Sequence, residues 1–178
     1  MYRLRDGVKK YSDCDFVCFT DEKLEGIWTY PFKLRYRNYW TCLEVFSSDI
    51  GNVLFVGLDT IFCGSFTNLF DYRGSLGMLR DPYNRDKSVN GVLRFPYRPD
   101  IWEKYSVNPE KWHNSYKNEM QYIAGFKHDF LCDKYPGQIL SYKRHVLTGE
   151  DTSDARIVYF HGKPKPEDVD WNPLKPSS

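Results

Sequence analysis

The sequence lacks the features that mark membrane, exported and nucleic-acid-binding proteins. No stretch approaches 18 consecutive apolar residues, and the amino terminus has no hydrophobic signal-peptide segment. We therefore expect no membrane span and a cytoplasmic location. Net charge is also small, with 25 Lys and Arg residues against 24 Asp and Glu residues. So small a charge gives no general attraction to anionic polymers, and nucleic acid is not a favoured partner.

Three kinds of functional motif are also missing. The five cysteines do not show the paired spacing of a zinc site, and no glycine-rich loop of the nucleotide-binding types occurs. Ser141 and Cys132 have no visible base partner in the sequence, as a nucleophile would need. What the chain does have is an aromatic content of 17% within 41% hydrophobic residues. This composition predicts one packed domain over residues 1–166, followed by a Pro-rich tail over 167–178.

Helix and strand patterns alternate along the chain. Leu4, Val8 and Tyr11 recur at helical spacing and predict a helix over 2–11. Asn38 is placed to cap a second helix, and residues 99–125 look helical in pieces broken at Pro109 and Ser115. The interleaving predicts an α/β fold with a mixed sheet. Strands are predicted at 16–20, 32–37, 53–56, 60–63, 76–79, 90–95, 139–142 and 156–160.

The stretch "VLFVGLDTIFCGS" (53–65) interrupts two apolar runs with Gly57-Leu58-Asp59. An acidic side chain at the end of a strand is well placed to bind a hard cation. The same break also fits a plain turn, in which Gly57 supplies the backbone angles and Asp59 caps amide groups. The stretch alone leaves both readings open.

The stretch "RIVYFHGKPKP" (156–166) leaves an apolar run through His161 and Gly162 and then places Lys163 and Lys165 between prolines. One reading is an exposed basic loop. The other is a backbone bend that brings an imidazole and an ammonium group to one anion, with the glycine allowing close approach of a phosphate.

Further stretches occur in order with these two: "FVCFTDE", "YWTCLEVF", "LGMLRDPYN", "VNGVLRF" and "ILSYKRH". Together, over about residues 2–166, they resemble the small glycosyltransferase-like proteins of bacteria and their phages, relatives of the glycogenin and lipopolysaccharide galactosyltransferase group. The resemblance implies a GT-A fold, with a mixed sheet flanked by helices, in the cytoplasm of a bacterial host cell. It implies transfer of a hexose from a nucleotide sugar such as a UDP-hexose to a glycan or other hydroxyl acceptor, with retention at the anomeric carbon.

The resemblance also implies roles for particular residues. Asp59 matches the last Asp of the family's Asp-x-Asp motif and His161 its metal-binding His, which implies manganese (or magnesium), held weakly without nucleotide. Gly162 and a following lysine, Lys163 or Lys165, match its pyrophosphate contacts. Asp81 and Glu119 are the expected catalytic residues, which hold the donor sugar. Arg80 and Asn90 are expected to bind the same sugar.

Three departures from the family pattern leave an alternative open. Gly57 stands where the first Asp of the metal motif is expected, and Glu119-Met120 stands where an Asp-Gln pair is expected. The chain also begins at the helix that follows the family's first strand, so its true start lies upstream, its donor pocket is incomplete, or another chain completes it. The alternative function is a degenerate GT-A domain that binds sugars or a partner without catalysis. A missing strand would leave a sheet edge open near 16–20, and we expect self-association there.

Overall fold

The computed structural model describes residues 1–33 and 38–170. It confirms an α/β protein with mixed sheets. The helices are α1 (Tyr2–Tyr11), α2 (Pro99–Ser106), α3 (Pro109–Ser115), α4 (Glu119–Ala124) and α5 (Leu131–Lys134). The strands are β1 (Val17–Phe19), β2 (Trp28–Tyr30), β3 (Val53–Val56), β4 (Thr60–Phe62), β5 (Gly77–Arg80), β6 (Ser88–Phe95), β7 (Asp129–Phe130), β8 (Ile139–Ser141) and β9 (Ile157–Tyr159).

The described strands form three sheets. The largest has the order β3-β6-β5-β7, in which β6 is antiparallel to β3 and β5, and β7 is parallel to β5. A second has the order β4-β9-β8, with β9 antiparallel to β4 and parallel to β8. The third joins β1 to β2 in parallel. Within the described part of the chain, β1 has no second strand neighbour. Self-association at this edge stays a prediction.

Amphipathic spacing accounts for α1. Leu4 and Val8, four residues apart, are both buried, because residues at this spacing share one helix face. The helix packs this face on β4 beside Phe62 and Phe66, whose rings stack at 4.4 Å. The first predicted helix is thus confirmed, and it supports the strand that leads away from Asp59.

Long aromatic side chains fill the core between the largest sheet and α2–α4. Trp40 stacks on Tyr105 at 5.5 Å, and the Tyr122 hydroxyl donates to the Ile101 carbonyl at 2.9 Å. Tyr105 and Tyr122 are both almost fully buried. This packing fixes α4, and with it Glu119, against β6.

The structure corrects several local predictions. Phe32 and Lys33 lie outside any strand, and β2 ends at Tyr30, two residues before the predicted start. Residues 34–37, the rest of the predicted strand, lie outside the described residues. The helix expected after Asn38 is present over Asn38–Ser47; it is of the 3-10 type and begins at Asn38 in a left-handed conformation (φ 63°). The sequence analysis missed β2, β7 and α5, which are too short for a periodic pattern to reveal.

The carboxyl-terminal region follows the domain without a break. Pro166–Asp168 forms a 3-10 turn, and Val169 packs against the cluster that contains Val158 and Phe160. Residues 171–178, the remainder of the predicted tail, lie outside the described residues. Over residues 1–33 and 38–170, no helix combines the length and the apolar character needed to cross a membrane.

Candidate functional site

Strand pairing brings together two loops that are about a hundred residues apart in sequence. Thr60 of β4 pairs with Tyr159 of β9, and the backbone N–H of Phe160 donates to the Asp59 carbonyl at 2.8 Å. Because the two strands run antiparallel, the start of β4 and the end of β9 lie at the same end of the sheet. Asp59 and His161 therefore belong to one site.

The second strand partner of β9 adds a third segment to this end. Strand β8 runs parallel to β9, with Ser141 paired to Tyr159. The turn that follows β8, Tyr142–Val146, is a single π-helical turn. Such turns are frequent at functional sites. This one carries Lys143 to the end of β9.

The Asp59 carboxylate is paired with Lys165. Lys165 Nζ lies 2.6 Å from Asp59 Oδ2, and each side chain is about one-third exposed (33% and 32%). A Cβ atom added to Gly57 would lie 3.0 Å from Asp59 Oδ1. The first side-chain atom of any larger residue at position 57 would therefore lie beside the Asp59 carboxylate. With glycine at position 57, Asp59 is the only acid in Gly57-Leu58-Asp59.

His161 lies beside Ser141 at the centre of the site. Its Nε2 is 2.9 Å from Ser141 Oγ, and its ring meets Tyr83 edge-on at 5.7 Å. Burial, and then the nearby Lys143 ammonium, lowers the pKa of His161 below its usual range, against a smaller opposing effect of Asp81 and Asp59. Burial therefore favours the neutral form of the imidazole.

Ser141 is a site residue that the sequence analysis dismissed. The expectation that it has no base partner is wrong, because the fold places His161 beside it from 20 residues away. Ser141 is fully buried, and its Oγ also accepts from the Arg144 backbone N–H at 3.3 Å. A buried hydroxyl cannot reach a substrate, so Ser141 positions His161 and does not act as a nucleophile.

Lys143 was also missed. Its Nζ lies 3.4 Å from the position that a Cβ atom on Gly162 would occupy, and Gly162 has a φ of +66°. Within the described residues, the Lys143 ammonium makes no hydrogen bond or ion pair. A free ammonium beside a glycine backbone is an arrangement suited to binding a phosphate. The sequence contained no signal for this, because only the fold brings β8 beside β9.

Lys163 points elsewhere. Its Nζ pairs with Asp168 Oδ2 at 3.0 Å, and its side chain is 80% exposed. Asp168 also accepts from the backbone N–H of Lys165 at 2.8 Å. These two contacts fold the loop after His161 back on itself, which leaves Lys165 as the lysine of this loop that faces Asp59.

Arg80 and Asp81, expected to bind the donor sugar, take part in local contacts. The Arg80 guanidinium donates to both carboxylate oxygens of Asp133, at 2.7 and 3.2 Å, and lies 3.7 Å from the centre of the Phe130 ring. Asp81 Oδ1 accepts from the backbone N–H groups of Tyr83 and Asn84 at 2.8 and 3.1 Å. Asp81 nevertheless lies at a cavity, which is lined in part by Ser88, Gln121, Phe126, His128 and Phe130.

Asn90 and Glu119 form a separate buried pair. Asn90 Nδ2 donates to Glu119 Oε1 at 2.9 Å, and Glu119 is only 7% exposed. In the part of the chain that the structure describes, Glu119 Oε2 is buried without a hydrogen-bond partner. The pair lies next to the loop with Asp59, since the Gly57 backbone N–H donates to the carbonyl of Gly91 at 3.1 Å.

These side chains by themselves do not fit a site for a divalent metal. Over the described ranges, no three His, Cys, Asp or Glu side chains come together closely enough to bind an ion. Asp59 already faces Lys165, and His161 Nε2 faces Ser141. Two ligands and one negative charge are fewer than manganese or magnesium needs. The expected metal stays a prediction that would require oxygens from a ligand.

Comparisons with known proteins do not show a family. No protein-family model matches the chain. A segment of 92 residues, half of the chain, is 33% identical to a protein of Arabidopsis thaliana described as an F-box protein. The chain spans only 20% of that protein's length. A likeness over so small a part assigns neither family nor activity.

Proposed function

We propose that the protein is a glycosyltransferase of GT-A type, which transfers a hexose from a nucleotide sugar to a glycan or other hydroxyl acceptor with retention. The observation that carries this proposal is the pairing of β4 with β9, which brings Asp59 beside the loop of His161 and Gly162. The same pairing through β8 adds Lys143. An acid, a neutral imidazole, a glycine backbone and two ammonium groups at one sheet end form a site suited to a sugar diphosphate.

The chemistry of the transfer needs little proton transfer from the protein. The bond from the anomeric carbon to the diphosphate oxygen breaks, and the diphosphate departs with an added negative charge. The acceptor oxygen forms the new bond on the same face, and its proton passes to the departing phosphate. Lys143 and Lys165 would stabilise the charge that develops on the leaving group, while the His161 ring adds a polar contact.

The proposal is tested with a panel of nucleotide sugars, with and without manganese. We expect slow hydrolysis or transfer of at least one donor, measured by release of nucleoside diphosphate. Asp59→Ala should abolish this turnover, whereas Asp6→Ala, which removes an exposed acid on α1, should not. Absence of turnover for every donor under both conditions would contradict an enzymatic function.

A specific observation favours a second function, a GT-A-type domain that binds without catalysis. Arg80 is held by Asp133, and Asp81 by the turn that follows it, so both are engaged within the protein. Glu119 is equally held by Asn90. In this case nucleotide sugars should bind in calorimetry and remain intact. Turnover that Asp59→Ala removes would exclude this second function.

A further inference from the structure

We propose that two lysines take the place of the divalent cation: Lys165 occupies the cation position on Asp59, and Lys143 and Lys165 together bind the diphosphate without metal. The inference rests on the proposed function in taking the anion to be a nucleoside diphosphate. It goes beyond that function because it assigns the charge-neutralising role to side chains of the chain itself.

The contact between Lys165 and Asp59 is the first part of the argument. A metal shared by an Asp-x-Asp motif and a diphosphate balances the negative charges of both. In Gly57-Leu58-Asp59 only Asp59 supplies a carboxylate, and an ammonium lies 2.6 Å from it. Because this pair is only about one-third exposed, solvent screens it less than a surface pair, and it keeps the ammonium in place.

Lys143 is the second part. Its ammonium lies against Gly162 and has no hydrogen-bond or ion-pair partner within the described residues. The π-helical turn after β8 holds the residue there, and Ser141 Oγ anchors that turn by accepting from the Arg144 N–H. The site thus presents one ammonium that has no carboxylate of its own.

The nearby acids determine how strong the binding can be. Asp59 offsets Lys165, and Asp81, which also lies near His161, accepts two backbone N–H groups of its own turn. Two ammonium groups against two carboxylates give a site with modest affinity for anions. Removal of the Asp59 charge should therefore release Lys165 and strengthen anion binding.

This last expectation separates the lysine pair from a metal site, because the two predict opposite effects of Asp59→Asn. If Asp59 binds a metal, the substitution weakens binding of the diphosphate in manganese. If Asp59 binds Lys165, the substitution strengthens binding in EDTA by severalfold. Asn keeps the size of the side chain, so the change tests charge rather than packing.

The experiment is calorimetric titration of the full chain with inorganic pyrophosphate and with uridine diphosphate, in EDTA and in manganese. We expect equal affinity in both conditions for the wild type. Lys143→Met and Lys165→Met should each weaken binding about tenfold or more, as expected for loss of a charged hydrogen bond. Lys9→Met, which removes an exposed positive charge on α1, is the matched control and should bind as the wild type does.

The outcomes are distinct. The proposal is supported if the wild type binds with equal affinity in EDTA and in manganese, if the two lysine variants lose this binding, and if Asp59→Asn strengthens it. Binding only in manganese overturns the lysine pair while leaving the proposed glycosyltransferase intact. No binding in either condition overturns both. The comparison of EDTA with manganese needs only the wild type, so it decides the matter even if a variant fails to fold.

Discussion

Arg94 is a buried charge within the largest sheet, β3-β6-β5-β7, and its replacement by methionine should destabilise the protein. The side chain lies on β6 and is only 1% exposed. Its guanidinium donates to the backbone carbonyls of Leu69, Val53, Phe95 and Phe70 at 3.0 to 3.3 Å. It also lies 4.8 Å from the centre of the Phe70 ring. No carboxylate in the described part of the chain pairs with it.

The magnitude follows from these four hydrogen bonds. Each contributes a net of about 1 kcal/mol, so their loss costs about 4 kcal/mol. The apolar methionine side chain, which fills part of the same space, restores about 1 kcal/mol through burial. Arg94→Met should thus lower the free energy of unfolding by about 3 kcal/mol, equivalent to roughly 6–12 °C in Tm for a domain of this size.

The assay is urea or thermal unfolding followed by circular dichroism. Arg85→Met, at an exposed position on the loop before β6, is the control and should change the free energy of unfolding by less than about 0.5 kcal/mol. A Tm for Arg94→Met within about 2 °C of the wild type would refute the reasoning. It would mean that the cost of burying the guanidinium equals the worth of its carbonyl contacts.

Three further predictions concern the site and the open edge. Burial lowers the pKa of His161 and of His145 in the folded state, so the unfolded chain binds protons more readily and stability should fall as the pH drops below about 6.5. His161→Gln should reduce this slope of Tm against pH. An unchanged slope would contradict the lowered pKa of His161. Gly162→Ala and Gly149→Ala both place a side chain at positive φ and should each lower the free energy of unfolding by about 1 kcal/mol. Only Gly162→Ala adds a methyl group near Lys143, so only this variant should weaken pyrophosphate binding in calorimetry. Sedimentation should show self-association through β1, and a monomer at high concentration would exclude it.

Local patterns in the sequence were sufficient for most of the elements. The spacing of Leu4 and Val8 predicted α1, and the apolar runs at 53–56 and 90–95 predicted β3 and most of β6. The breaks at Pro109 and Ser115 coincide with the two ends of α3. These predictions hold because periodic burial and proline geometry act over a few neighbouring residues, whatever the rest of the fold does.

The candidate site shows where local patterns stop being informative. The sequence singled out Asp59, His161 and Lys165 as chemically suitable, and a resemblance assigned them to a metal and a diphosphate. The sequence could not show that Lys165 forms an ion pair with Asp59, or that Lys163 pairs with Asp168 instead. Side-chain pairing depends on the approach of two loops in space, and no spacing along the chain encodes it.

What the sequence by itself determined is the α/β class, the order of most helices and strands, and the positions where polar residues follow apolar runs. Only the tertiary structure decided which of these positions meet. Antiparallel pairing of β4 with β9 and parallel pairing of β8 with β9 bring Asp59, His161 and Lys143 to one end of a sheet. Ser141 and Lys143 became part of the site for this reason alone, because the contacts that define their roles join residues about 20 positions apart in the chain.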